Sequence, residues 1–124
     1  MNKQGTILLA DKDDEFRWFW TDRLEREGHR VVATNDVKIV VDMISDNDFD
    51  LVIIEELMPG MNGNEFMKEI RKRGIDAPVV FVASHGDVDA YMDLMNRGAF
   101  EYINKPVEEE KILSVVERAM ELRV

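Results

Sequence analysis

Four runs of consecutive apolar residues stand out along the chain: Ile7 to Ala10, Val31 to Ala33, Leu51 to Ile54 and Val79 to Ala83. None alternates with polar positions, so each reads as a strand buried on both faces of a sheet. A fifth, mixed stretch, Glu101 to Ile103, predicts a short last strand. Segments of helical period lie between them. Phe16, Phe19, Trp20 and Leu24 share one face of a first helix that Asp13 or Asp14 caps and that runs to about Glu27, with Gly28 as its stop. Asn35 and Asp36 cap a second helix with Ile39, Val40, Met43 and Ile44 on its apolar face. A third is expected from about Glu65 to Arg73, capped by Asn62 or Asn64. A fourth carries Val88, Tyr91, Leu94 and Met95, and a fifth runs from Glu108 to about Leu122 with Ile112, Val115, Val116 and Ala119 inward. Five strands alternating with five helices, joined by short turns and without repeats or linkers, predict an α/β fold built on a doubly wound parallel sheet.

In such a sheet the carboxyl ends of the strands share one rim, where ligands bind. The order of elements brings Asp11, Lys12, Glu55, Ala83, Ser84 and Lys105 to that rim. The stretch Leu51 to Gly63 is the most informative. Its strand ends at two adjacent acids, Glu55 and Glu56, and the breakers Pro59, Gly60 and Gly63 then force a turn.

Charge narrows the function. The 124 residues hold 26 acids against 16 Lys and Arg, a net charge of −10. That disfavours direct binding to nucleic acid or to an anionic membrane. No apolar run approaches the ~20 residues of a membrane span. Met1 to Gly5 form no hydrophobic signal segment and the chain has no Cys, so a cytoplasmic location is expected. Eight Met read mainly as core filler, His85 as a turn residue, and His29 has no evident partner.

At this point the chain resembles a receiver domain of a bacterial two-component response regulator, of the single-domain chemotaxis-regulator type. The resemblance covers essentially all 124 residues. It rests on Asp11 after the first strand and Met58-Pro59-Gly60-Met61-Asn62-Gly63 after the third. His85-Gly86-Asp87 after the fourth and Lys105-Pro106 after the fifth complete it. It implies the flavodoxin-like strand order 2-1-3-4-5 and a cis bond between Lys105 and Pro106. It also implies phosphorelay chemistry: acyl phosphate formation on an aspartate, with two acids after the first strand helping to hold Mg²⁺. A hydroxyl after the fourth strand and the lysine after the fifth would hold the phosphoryl oxygens.

Residue by residue, the chain departs from that pattern. The phosphoacceptor position holds Glu55, the hydroxyl position Ala83 with Ser84 one place late, and the second acidic position Lys12, followed by Asp13 and Asp14. Asp11 and Lys105 fit, and Tyr102 matches the aromatic that the family swings inward on activation. A pocket of three carboxylates and one lysine would sit near −2 and call for a divalent ion. Asp11 and Glu55 facing Lys12 and Lys105 sum to zero without one. The expectation is therefore an atypical, metal-free pocket held by pairing of Lys12 with Asp11 and Glu55 and of Lys105 with Glu55. Glu55 would be a partial phosphoryl mimic; outside the metal-free reading, Asp11, Glu55 and the Leu57 backbone are the metal candidates. The pleat is expected to turn Ser84 to the far side of its strand end, and the methyl of Ala83 leaves Tyr102 room to turn inward.

The leading reading is a pseudo-receiver over residues 1–124, standing alone or excised from a longer chain. It would be a phosphorylation-independent interaction module rather than an enzyme, and need no cofactor. A working receiver with an unusual Mg²⁺ arrangement through Asp13 is the rival. A flavodoxin-like nucleotide or flavin binder is the third, opposed by an acidic rather than glycine-rich first turn. The resemblance implies protein partners: a histidine kinase, a phosphotransfer protein or a fused output domain. It also implies a homodimer face on helix four, strand five and helix five, toward which Tyr91, Met92 and Tyr102 lie. Tyr91 is expected as core filler, and Trp18 as a docking residue or a surface aromatic.

Overall fold

The computed structural model describes residues 3–122. Its elements run β1 (Thr6–Ala10), α1 (Asp14–Arg26), β2 (Arg30–Thr34), α2 (Val37–Asp46), β3 (Leu51–Glu55), β4 (Leu57–Met58), β5 (Met61–Asn62), α3 (Gly63–Lys72), β6 (Val79–Ala83), α4 (Val88–Asn96), β7 (Glu101–Asn104) and α5 (Glu109–Glu121). The main sheet is wholly parallel, in the order β2-β1-β3-β6-β7. Because β4 and β5 form only a small antiparallel ribbon, this is the order 2-1-3-4-5 of the long strands. The Lys105–Pro106 bond is cis.

The unbroken apolar runs are explained by two cores, one on each face. Leu8, Ala10, Val52, Ile54, Val79 and Phe81 pack beneath α2, α3 and α4. Their neighbours Ile7, Leu9, Leu51, Ile53, Val80 and Val82 pack beneath α1 and α5. Alternate residues of one strand thus feed opposite layers, and a strand covered on both sides has no polar phase to show.

Helices α1 to α4 start at side-chain caps, whereas α5 has none. Asp13 accepts from the amides of Glu15 and Phe16 at 3.0 and 3.3 Å, and Asp36 from Lys38 at 2.9 Å. Asn62 and Glu65 form a reciprocal capping box, at 2.9 and 3.2 Å, which starts α3 at Gly63, two residues before the expected Glu65. The turn of the β4–β5 ribbon needs the positive φ of Gly60, +91°.

Four side chains lie elsewhere than the helical pattern predicts, Val88 of α4 among them at 70% exposed. Phe19 is 52% exposed, lying beside the Trp20 ring rather than under it. In α2 the buried face is Val37, Val40, Val41 and Ile44, so Ile39 is exposed. Tyr91 is 43% exposed and so is not core filler. Helices that cover one side of a sheet bury a narrow stripe, and apolar residues flanking it remain in water. His29 does have a partner: its Nδ1 accepts from the Gly5 amide at 3.1 Å. No helix among the described residues is long and apolar enough to cross a membrane.

Candidate functional site

The register of the strands sorts the rim residues into two groups. Glu55 pairs in register with Val82, which faces the α1/α5 layer. Leu9 and Ile103 face the same layer, so Asp11 and Lys105, two residues further along their strands, turn to that side. Glu56, one residue beyond Glu55, turns to the α4 side, where Ala83 and Tyr102 already pack. Two linked sites result.

On the α1/α5 side, Asp11 is wholly buried and Glu55 is 3% exposed. The Lys105 ammonium donates to Asp11 Oδ1 at 3.2 Å and lies 3.0 Å from Oδ2 and 3.8 Å from Glu55 Oε2. It rests 4.4 Å above the centre of the Phe16 ring, which closes off water on that side. The Asp13 amide donates to Asp11 Oδ1 at 2.8 Å, and Arg17 holds the Asp11 carbonyl at 2.6 Å. Glu55 receives the Lys12 amide on Oε1 and the Ser84 hydroxyl on Oε2, both at 3.3 Å. The Lys12 ammonium, its side chain half exposed, lies 3.9 Å from Glu55 and donates to the Leu57 carbonyl at 3.4 Å. Burial lifts the Asp11 carboxyl from 3.8 to about 6, against the Asp13 amide and Lys105, which hold it down; the Glu55 charge adds to the rise.

The expected pairing changes in three respects. Lys105 binds Asp11 more closely than Glu55, and the ion pairs of Lys12 run to Glu55, not to Asp11. Ser84 does reach the pocket. It stands two residues past Val82, so the pleat returns it to the face of Glu55 rather than away from it. Asp13 stays out, because its carboxylate is the N-cap of α1.

The second site was hidden in the sequence. Tyr102 is turned inward, 8% exposed, and its hydroxyl donates to Glu56 Oε1 at 2.7 Å. Burial and the Glu56 carboxylate push its phenol above the ordinary tyrosine range. A Cβ at Gly86 would collide with the Tyr102 phenol and the Asn104 amide, so the inward ring needs glycine there. Glu56 therefore lies outside the Asp11–Glu55 cavity, and Ala83 packs in the core beside Tyr102. Strand alternation was the signal: Glu56 has the opposite parity to Glu55 and the same face as Tyr102.

The Mg²⁺ implied by the resemblance does not fit these residues. It wants near-octahedral oxygen ligands. Here an ammonium already spans the two carboxylates, the Leu57 carbonyl takes Lys12, and the nearest spare acid caps a helix. Among the described residues no group of three His, Cys, Asp or Glu side chains is placed to hold a metal.

Comparison with known proteins places the chain. A family model described as "Response regulator receiver domain" matches residues 7–117. The DNA-binding transcriptional regulator NtrC of Azospirillum brasilense is 34% identical over 116 residues, covering 94% of this chain and 24% of that protein. The chain thus spans about a quarter of the length of that relative. The receiver domain of the Francisella response regulator 1452 superposes with a TM-score of 0.90 at 22% identity, over 97% of this chain and 99% of that one. The non-phosphorylated HemR receiver domain from Leptospira biflexa gives 0.87 at 27% identity, over 96% of each.

Proposed function

The chain belongs to the response regulator receiver family of two-component systems, and within it we propose a pseudo-receiver, a signalling module whose surface is set without phosphorylation. The observation that carries this reading is the second lysine of the pocket: Lys12 stands at the family's second acidic position, its ammonium 3.9 Å from Glu55 and 3.4 Å from the Leu57 carbonyl, while Lys105, which the family pattern also has, lies 3.0 Å from Asp11 and 3.8 Å from Glu55. Glu55 already accepts from a hydroxyl and a backbone amide, with the Lys105 ammonium 3.8 Å away, groups of the kind that would hold phosphoryl oxygens. It carries a single charge where a phosphate would carry about −1.5 to −2, and so mimics it in part. Attack by Glu55 would start one methylene out of place, with no metal to steady the transferring group. The rival arrangement through Asp13 lacks support, since that carboxylate is committed to α1.

The module works by docking. With Tyr102 held inward by Glu56, the α4–β7 surface keeps one shape for its partner, whether a kinase, a phosphotransfer protein or an output domain. A cytoplasmic setting accords with the acidic, Cys-free composition. The test is intact mass after incubation with acetyl phosphate and Mg²⁺. No gain is expected; a gain of one phosphate, mapped to Glu55, overturns the reading. Glu55→Asp combined with Lys12→Asp returns the shorter nucleophile and the second acid, and is expected to gain the label.

A further inference from the structure

His29, in the turn between α1 and β2, is 9% exposed. Its Nδ1 accepts from the Gly5 amide at 3.1 Å, so the neutral ring carries its proton on Nε2. That bond is part of a clasp at the amino end of the sheet. Gly5 gives its carbonyl to the Arg30 amide at 2.9 Å, and Thr6 donates its amide to Asp50 Oδ2 at 2.7 Å. The crossing is tight: a Cβ on Gly5 would stand 2.5 Å from Asp50 Oδ2 and 2.5 Å from the Met120 sulfur. The entrance of β1 is thus wedged between the starts of β2 and β3 and the C-terminal end of α5.

A cavity of about 240 Å³ opens beside the ring, lined by Lys3, Glu27, His29, Leu113, Val116 and Glu117. The charges around the imidazole are therefore Glu27 from the end of α1, Glu117 from α5, Lys3 from the N-terminal segment and Asp50 from the approach to β3. Arg30, its chain neighbour, lines a cleft with Val32 and Met43 on the other side of the sheet. Burial pushes the imidazole below its ordinary 6.5, against the Glu27 and Asp50 charges, which favour the proton. A proton on Nδ1 would set two N–H groups against each other and leave the Gly5 amide without its acceptor. The resulting imidazolium has room to turn, and two carboxylates line the space it would turn into.

We propose that His29 is a pH-operated latch on the first strand. Neutral, it holds Gly5; protonated, it turns into the cavity toward Glu27 and Glu117 and releases the Gly5 amide. The release loosens the contact of Gly5 with Met120, and so reaches the end of α5. Because the folded value lies below the unfolded 6.5, the latch stabilises the chain above 6.5 and loses that contribution as pH falls through the folded value. None of the rim residues takes part, so a phosphate gained on Glu55 would leave this proposal standing.

The test follows the His29 ring nitrogens and the Gly5 and Met120 amides of the ¹⁵N-labelled protein from about pH 8 to about pH 4.5. At the upper end Nδ1 is expected to carry no proton. On acidification the Gly5 and Met120 resonances are expected to move with the midpoint of the imidazole, and the exchange protection of Gly5 to fall about tenfold for each pH unit below it. His29→Asn sets a carbonyl oxygen near the place of Nδ1, an acceptor that takes no proton, and is expected to hold the Gly5 resonance constant throughout. Glu27→Gln with Glu117→Gln is expected to lower the midpoint by a few tenths of a pH unit. His85→Asn, at the other His, is expected to change nothing. A proton on Nδ1 at the upper end, an imidazole that does not titrate in this range, or a Gly5 amide that stays still while it does overturns the proposal. So does a Gly5 titration that survives in His29→Asn. Should that variant fail to fold, the comparison of imidazole and Gly5 midpoints in the unaltered chain decides.

Discussion

Replacing Lys105 by Met keeps a side chain of similar length above Phe16 but removes the ammonium from between two buried carboxylates. At 3.0 Å and an effective dielectric of about 20, the Lys105–Asp11 attraction is roughly 5 kcal/mol before desolvation is set against it. Loss of one partner from a buried pair typically costs about 3–5 kcal/mol, because the other charge is stranded. Asp11 has an escape, since a proton can neutralise it. Its folded value, about 6, already lies above the unfolded 3.8, so its contribution to stability falls as pH rises through that interval and is flat above it. Without Lys105 the folded value moves higher, and the fall continues past 6 toward neutral and alkaline pH. The destabilisation by Lys105→Met is therefore expected to be small, under about 1 kcal/mol, near pH 5 where Asp11 is protonated in both proteins. Near pH 8 it is expected to reach about 3 kcal/mol, which for a chain of this length lowers the melting temperature by roughly 10 °C. Urea unfolding followed by the fluorescence of the buried Trp20 at the two pH values reads both numbers. A pH-independent difference, or a loss below about 1 kcal/mol at pH 8, would refute the reasoning that this lysine holds the pocket neutral.

Glu56→Ala removes the acceptor of the Tyr102 hydroxyl; a loss of about 1–2 kcal/mol is expected, with the phenol titrating nearer the ordinary tyrosine value in ultraviolet difference spectra. Gly86→Ala places a methyl against Tyr102 and Asn104 and is expected to cost about 1–3 kcal/mol and to shift the Tyr102 ring resonances. Asn62→Ala breaks the capping box of α3 and is expected to cost about 1 kcal/mol in chemical unfolding, without altering the pH dependence of the Asp11 pocket.

The layers were legible because buried parallel strands leave an unmistakable trace. Leu51–Ile54 and Val79–Ala83 are apolar at every position, and Gly28, Asp36 and Asn62 mark helix ends. The rim residues were legible by order alone, since Asp11, Glu55 and Lys105 each follow a strand end. Which lysine meets which acid was not, because an ammonium on a four-carbon stem reaches several oxygens, and the Phe16 ring beside Lys105 and the Leu57 carbonyl beside Lys12 take their places only in the folded chain. Ser84 was misplaced by taking the pocket to open on the face of Ala83, although the pairing of Glu55 with Val82 puts it on the other. The exposure of Phe19 and Tyr91 was hidden because helical spacing identifies an apolar face without saying how much of it a neighbour covers. The Glu56–Tyr102 bond joins residues 46 positions apart and needs the register of β6 and β7, which sequence alone does not supply.

Lysine side chains standing in for a divalent ion is the idea on which the rest depends. A titration of millimolar Mg²⁺ into the ¹⁵N-labelled protein, read at the amides of Lys12, Asp13, Glu55 and Glu56 against a matched NaCl control, examines it most directly. The account predicts no saturable movement of those resonances and unchanged fluorescence of Trp20. Saturating shifts centred on Asp13 and Glu55, abolished by Asp11→Asn, would contradict it.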